Sequence, residues 1–82
     1  MKVWITKYAL TTGVFQRVVK DVGDGMVVDE RSGYPAYYHG DGRDWHRTRE
    51  SAASRVEVMR LAKLASLKKQ IAKLQRPIEV PE

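Results

Sequence analysis

The sequence predicts an α+β fold, in which a small antiparallel β-meander of three to four strands is followed by one long C-terminal α-helix. Three observations lead to this fold class. Apolar and polar residues alternate with period two over residues 3–10 and again over residues 14–19, as they do in half-buried strands. Glycine-containing turn sequences separate these runs. No glycine or proline occurs from Arg49 until Pro77, which leaves room for about seven helical turns.

A first hairpin is predicted over residues 3–19, where Thr11-Thr12-Gly13 interrupts the alternating pattern. A three-residue loop at this point would place Lys7 opposite Arg17, and like charges in such a pair are unfavourable unless an anion lies between them. A two-residue turn would place Tyr8 opposite Arg17 instead, giving a cation–π contact. The sequence leaves both registers open.

A second hairpin is predicted around Asp24-Gly25, since both residues tolerate the positive φ of a tight turn. A two-residue turn at this point makes residues 26–30 the third strand and sets Lys20 opposite Asp29, an opposite-charge pair that supports the hairpin. A short fourth strand is predicted over residues 36–39, directly after a proline.

Residues 40–47 are predicted to form a loop, because glycine and aspartate are too frequent there for a strand to continue. We expect its aspartates to accept backbone N–H groups and its tryptophan to pack at the junction between sheet and helix. The candidate structural residues are His39, Asp41, Asp44, Trp45 and His46. Their spacing matches no metal motif and no distant ligand cluster accompanies them, so neither a metal nor a cofactor is predicted.

The helix is predicted over residues 48–76, with Thr48 as its N-cap. Its length of about 40 Å exceeds the roughly 20 Å of a small sheet, so we expect its C-terminal half to project. Apolar residues recur there at three-four spacing, and these four residues are here called the leucine seam: Leu64, Leu67, Ile71 and Leu74. Self-association of the seam into a homodimer is the preferred prediction, and packing of the seam against the domain's own edge is the alternative.

The chain of 82 residues has room for one domain, predicted over residues 1–76, with residues 77–82 as an extended tail.

The absence of cysteine excludes a disulfide framework and a cysteine nucleophile. Neither a serine-hydrolase elbow nor a phosphate-binding glycine loop is present, so we expect neither an enzyme nor a small-molecule substrate. No apolar run reaches membrane-spanning length, and a cytoplasmic location is expected.

The net charge of +5 is concentrated at the C-terminal end, where residues 51–82 hold seven Lys or Arg against three Asp or Glu. Such an excess suggests nucleic acid or an acidic protein surface as the partner, although lysines also serve simply to keep a helix solvated. The seven aromatic residues all lie in the sheet half and could stack bases, but a small core needs most of them. The predicted binding residues are Lys7, Arg17, Lys63, Lys69 and Lys73.

Two stretches carry a family resemblance: WITKYALTTG at residues 4–13 and YHGDGRDWHRT at residues 38–48. They resemble a recurrent family of short uncharacterised bacterial and prophage-encoded proteins, and the resemblance covers nearly the whole chain. It implies no activity, cofactor or catalytic residue. The predicted function is therefore a small, basic, non-enzymatic binding module of phage type that engages nucleic acid or an acidic protein surface. The alternative is a phage-encoded inhibitor that binds a host protein stoichiometrically. If the protein is phage-encoded, the expected location is the cytoplasm of the host cell.

Overall fold

Six short strands precede a single helix in the computed structural model, which describes residues 1–31 and 33–81, so that Glu82 of the predicted tail lies outside it. Their bounds are β1 (Lys2–Ile5), β2 (Phe15–Val18), β3 (Lys20–Gly23), β4 (Met26–Asp29), β5 (Ala36–His39), β6 (Trp45–His46) and α1 (Arg49–Gln75). The predicted α+β class is confirmed. The strands form two antiparallel sheets of three strands, ordered β2-β1-β6 and β3-β4-β5, rather than one meander.

Val19 links the two sheets, since it is the only residue between β2 and β3. Its amide donates to the carbonyl oxygen of Met1 at 2.7 Å, and its own carbonyl accepts from the Met1 amino group at 2.8 Å. The Val19 side chain is buried in a core shared by both sheets, whose other members are Val3, Ile5, Val27, Tyr38 and Trp45. The two sheets therefore form one packed unit.

The first hairpin is much shorter than predicted, because β1 ends at Ile5, which pairs with Phe15. Both predicted registers are wrong: Arg17 lies opposite Val3, not opposite Lys7 or Tyr8. The chain leaves the hairpin at Thr6, whose amide donates to the carbonyl oxygen of Asp44 at 2.8 Å. Beyond it, the carbonyl oxygen of Tyr8 accepts from three successive amides at residues 11–13, which closes a compact turn in place of a strand.

The second hairpin has the predicted Asp24-Gly25 turn, with φ of 56° and 73°. The register then shifts between Asp21 and Gly23, so Lys20 lies opposite Val28 and the predicted pairing with Asp29 is wrong. The amide of Gly23 donates to Oδ1 of Asp21 at 2.8 Å, which holds the irregularity in place.

The predicted loop at residues 40–47 is partly wrong, because Trp45 and His46 form β6 on the free edge of β1, opposite Ile5 and Trp4. Gly40 lets the chain reverse here: its φ is 91°, and a Cβ on it would lie 3.1 Å from carbons of the Arg43 side chain. The reversal returns Trp45 to the edge of β1. The many glycines and aspartates of this stretch predict a loop and do not indicate this short strand.

The helix confirms its predicted start, since Thr48 has extended φ and ψ and its hydroxyl accepts from the amide of Ser51 at 3.1 Å. It ends one residue before the predicted Arg76. Ala52 is its only buried residue among those described, and every described residue from Arg60 onward is exposed. The radius of gyration is 17.9 Å, against about 12 Å for a compact chain of this length. The second half of α1 therefore projects from the sheets, as predicted.

Candidate functional site

The projecting segment, defined here as residues 60–76, is exposed along its whole length. No Asp or Glu occurs between Val58 and Ile78, whereas six basic residues do: Arg60, Lys63, Lys68, Lys69, Lys73 and Arg76. Arg60 is bonded through its guanidinium to Glu57. The other five make no ion pair with the described part of the chain. The segment therefore presents an uncompensated positive charge to solvent.

The basic residues lie on two parts of the helix surface. At 100° per residue, Lys69, Lys73 and Arg76 fall within an arc of about 60° on the side opposite the leucine seam. Lys63 and Lys68 flank the seam instead, one on each side. Phosphate binding and apolar packing can thus use different faces of the same segment.

The leucine seam is not covered by the domain. Its four side chains are between 39% and 72% exposed, with Leu67 the lowest and Leu74 the highest. Packing of the seam against the domain's own edge, the alternative prediction, is therefore wrong. The sheets are too small to reach it, since α1 contacts β1 and β6 only near its N-terminal end.

Lys7 and Arg17 lie in the sheet half, away from the helical lysines. Lys7 lies in the β1–β2 connection, with its Nζ 5.6 Å from the centre of the Tyr8 ring. Arg17 stacks on the Phe15 ring at 4.4 Å, and its Nε lies 3.5 Å from Oδ2 of the largely buried Asp29. The guanidinium of Arg17 is thus already engaged within the chain. The sequence did not indicate its pairing with Asp29, because that pairing depends on how the two sheets pack.

Trp45, predicted to pack at the junction between sheet and helix, is 1% exposed and belongs to the core that the two sheets share. Asp44 accepts from the amide of His39 through Oδ2 at 3.1 Å, as expected for a loop aspartate. Asp41 accepts from Nε of Arg47 at 3.0 Å, and the Arg47 guanidinium lies 5.1 Å from the Trp45 ring. These contacts keep the turn between β5 and β6 closed over the core.

His46 is also buried, at 1% exposure, and sits between two hydroxyl groups. Thr6 Oγ1 lies 3.0 Å from Nε2, and Ser51 Oγ lies 2.7 Å from Nδ1. The Thr6 hydroxyl donates to the carbonyl oxygen of Arg43 at 2.7 Å, so it accepts from Nε2–H. Burial lowers the pKa of His46, an effect partly opposed by the Arg43 carbonyl. The lowered pKa favours the neutral imidazole, and Nδ1 of that form accepts from the Ser51 hydroxyl.

A serine bonded to a histidine is also the beginning of a nucleophilic site, but the third group needed there is missing from this cluster. Thr6 is neutral, and it offers no charge to stabilise an imidazolium as the carboxylate of a triad does. The cluster instead ties three elements together: the end of β1, β6 and the first turn of α1. Thr6 was not expected at this position, because nothing in the local sequence relates residues 40 positions apart. Ser51 lies only five positions from His46, but nothing in the sequence indicates that the two side chains meet.

Within residues 1–31 and 33–81, no group of three or more His, Cys, Asp or Glu side chains is placed to hold a metal ion. Over the same residues, no helix has both the length and the apolar character needed to cross a membrane.

Comparison of the chain with protein-family models, with curated proteins and with solved structures found no match in any of the three. The resemblance to the prophage-encoded family stays a prediction.

Proposed function

We propose that this protein is a small non-enzymatic binding module that engages the phosphate backbone of nucleic acid through the exposed basic residues of the projecting segment. The observation that carries the proposal is the exposure of five Lys and Arg side chains over residues 63–76 with no acidic neighbour from Val58 to Ile78. Positive side chains that lie close together and have no acidic partner within the protein attract a polyanion and stabilise the complex with it.

The dimensions of the segment suit a nucleic-acid backbone. Lys63 to Arg76 spans about 20 Å of helix. Duplex DNA presents one negative charge per about 1.7 Å of its axis, so several phosphates lie within reach of this length. Lysine contributes a point charge on a flexible stem rather than a directional fork, which favours binding without sequence preference.

Phosphate contact, rather than base stacking, is favoured by where the aromatic side chains lie. Trp45 and Tyr38, at 1% and 6% exposure, belong to the core and present no ring face to a base. Tyr8 and Tyr37 are nearly half exposed and Tyr34 is 84% exposed, but all three lie in the sheet half and not on the projecting segment. Binding without base stacking should be dominated by ionic contacts and should weaken strongly with salt.

A stoichiometric inhibitor of a host protein is the second candidate, and the exposed leucine seam favours it. An apolar surface of this kind suits a protein partner, whose affinity for the seam would depend little on salt. The two candidates therefore differ in how strongly binding weakens with salt.

The test is binding of fluorescently labelled duplex and single-stranded DNA, followed by anisotropy from about 50 to 200 mM salt. We expect binding at the lowest salt that weakens linearly in the logarithm of salt concentration. Absence of binding to both at the lowest salt would overturn the proposal and leave the host-protein inhibitor as the better candidate.

A further inference from the structure

A largely apolar cavity of about 340 Å³ opens beside the first two turns of α1. Its wall is formed by the following six residues: Trp4, Val14, Arg49, Ala52, Ala53 and Val56. Arg49 is the only charged residue in this wall. The cavity therefore suits an apolar segment that carries a negative charge.

The cavity and the leucine seam lie on one side of the helix. At 100° per residue, Ala53 and Val56 fall within about 60° of Leu67 and Ile71, so the apolar stripe runs from the cavity towards Leu74. Only the ion pair between Glu57 and Arg60 interrupts it. A partner that covers the seam can thus continue into the cavity.

The tail after α1 has the composition that the cavity requires. Residues 77–81 form neither helix nor strand, and Ile78 and Val80 are 73% and 81% exposed on either side of Glu79. The tail cannot reach the cavity of its own chain, because a helix of about 40 Å separates them. A cavity that receives this tail must therefore belong to another molecule.

We propose that two copies of this chain pair along α1 in antiparallel orientation, so that Ile78 and Val80 of each copy enter the cavity of the other. Leu64 then lies opposite Leu67 of the second copy, and Leu74 lies opposite its Glu57. From Leu74, an extended tail reaches Ile78 in about 11 Å, which matches the roughly 12 Å of helix between Glu57 and Arg49. Glu79 then lies at the level of Arg49 of the second copy, on the solvent side of the tail, where the exposed Arg49 side chain can reach it.

Charge distinguishes this orientation from a parallel one. In a parallel pair, Lys63 faces Lys68 of the second copy, which is a repulsive flanking contact. In the antiparallel register above, Lys63 is level with Lys68 of the second copy, but the two lie on opposite sides of the seam. The nearest residues on the same side are Gln70 for Lys63 and Leu61 for Lys68, so neither lysine meets a like charge.

The length of the contact favours the same orientation. The leucine seam covers about one and a half heptads, whereas coiled coils usually need three or four. Pairing of the seam alone is therefore short for a stable dimer. Adding the tail and the cavity at both ends extends the contact over nearly the whole of α1. Lys69, Lys73 and Arg76 remain on the opposite side, so dimer formation does not depend on nucleic-acid binding.

Disulfide cross-linking tests the arrangement, since the chain has no cysteine of its own. Ala53→Cys and Ile78→Cys variants of the full chain are oxidised separately and as an equimolar mixture, then separated on a non-reducing gel. We expect a covalent dimer to form in the mixture and to be almost absent from each variant alone. Val58→Cys serves as the matched control, because Val58 is exposed but lies on the far side of the helix from the cavity.

Efficient cross-linking of the Ile78→Cys variant with itself would show a parallel pair and overturn the proposal. Equal cross-linking of Ile78→Cys with Val58→Cys and with Ala53→Cys would show random collision and also overturn it. Light scattering on the unmodified chain gives a second readout: a monomer mass at all concentrations would exclude the dimer. The Leu67→Asp/Ile71→Asp double change should abolish the cross-link of the mixture.

Discussion

The indole Nε1 of Trp45 donates a hydrogen bond of 2.8 Å to the carbonyl oxygen of Gly25. Trp45 belongs to β6 in one sheet, and Gly25 belongs to the turn between β3 and β4 in the other. The amide of Gly40 donates to the same carbonyl at 2.9 Å. One backbone oxygen therefore joins both sheets and the β5–β6 turn, and Trp45 contributes both apolar volume and a polar contact to the core.

Replacement of Trp45 by alanine should lower the free energy of unfolding by about 3–5 kcal/mol, because it opens a large cavity in a small core. Trp45→Phe is the matched control: it keeps much of the volume but loses the N–H, and should cost less than Trp45→Ala. Urea denaturation followed by circular dichroism measures both. A decrease below about 1 kcal/mol for Trp45→Ala would contradict a core role.

Stability should fall as the pH is lowered from 7.5 to 5.5, because the folded state holds His46 neutral. Burial lowers the pKa of His46 in the folded chain, with Arg55 acting in the same direction and the Arg43 carbonyl and Asp41 opposing it. In the unfolded chain His46 takes up a proton near pH 6.5, whereas in the folded chain it does so only at a lower pH. The stability that comes from the neutral His46 is therefore fully present above pH 6.5 and is lost as the pH falls below that value.

Urea denaturation at several pH values checks this dependence, with His46→Gln as the comparison. The variant will be less stable at pH 7.5, since its hydrogen bonds with Thr6 and Ser51 change, but its stability should vary less between pH 7.5 and 5.5. An equal pH dependence in both proteins would show that His46 is not the responsible group.

Changing Lys63, Lys69 and Lys73 to glutamine should weaken the salt dependence of binding to duplex DNA. Each neutralised phosphate contributes about 0.9 to the slope of log K against log salt concentration, so the slope should become flatter by about two to three units. The fold should be unaffected, because all three residues are exposed and glutamine is a good helix former. Anisotropy titrations at several salt concentrations measure the slope.

The matched control removes the same charge from the sheet half, through Lys2, Lys20 and Arg31 changed to glutamine. All three are exposed, and Lys20 forms only a surface ion pair with Glu30 at 3.3 Å. A similar flattening by this control would show that net charge, not the projecting segment, determines the affinity.

The Leu67→Asp/Ile71→Asp double change should leave the folding of a single chain nearly intact. Both side chains are exposed, at 39% and 55%, and lie beyond the part of α1 that contacts the sheets. The free energy of unfolding should change by less than about 1 kcal/mol when measured at the lowest workable protein concentration, where association contributes least. A cooperative loss of sheet structure would show that the seam supports the domain itself.

The elements that the sequence by itself determined are those that depend on neighbouring residues. Thr48 caps the helix because a hydroxyl can reach an amide three residues later, and the absence of glycine and proline up to Pro77 allows α1 to run as far as Gln75. Asp24 and Gly25 turn the chain through their own φ preferences. The projection of the helix also followed from the number of residues in each element. The rise per residue sets the length of a helix and of a strand, and a helix of 27 residues is longer than a sheet of short strands is wide.

Only the tertiary structure decided the β1–β2 register, the existence of β6 and the state of His46, because each depends on residues far apart in the chain. Thr6 leaves the first hairpin to bond with Arg43 and His46, which are 37 and 40 positions away. Those bonds stabilise a short β1 over the longer strand that the alternating pattern favours. The same contacts place an imidazole out of water between two hydroxyls, and it is burial among distant neighbours, not residue type, that determines its charge.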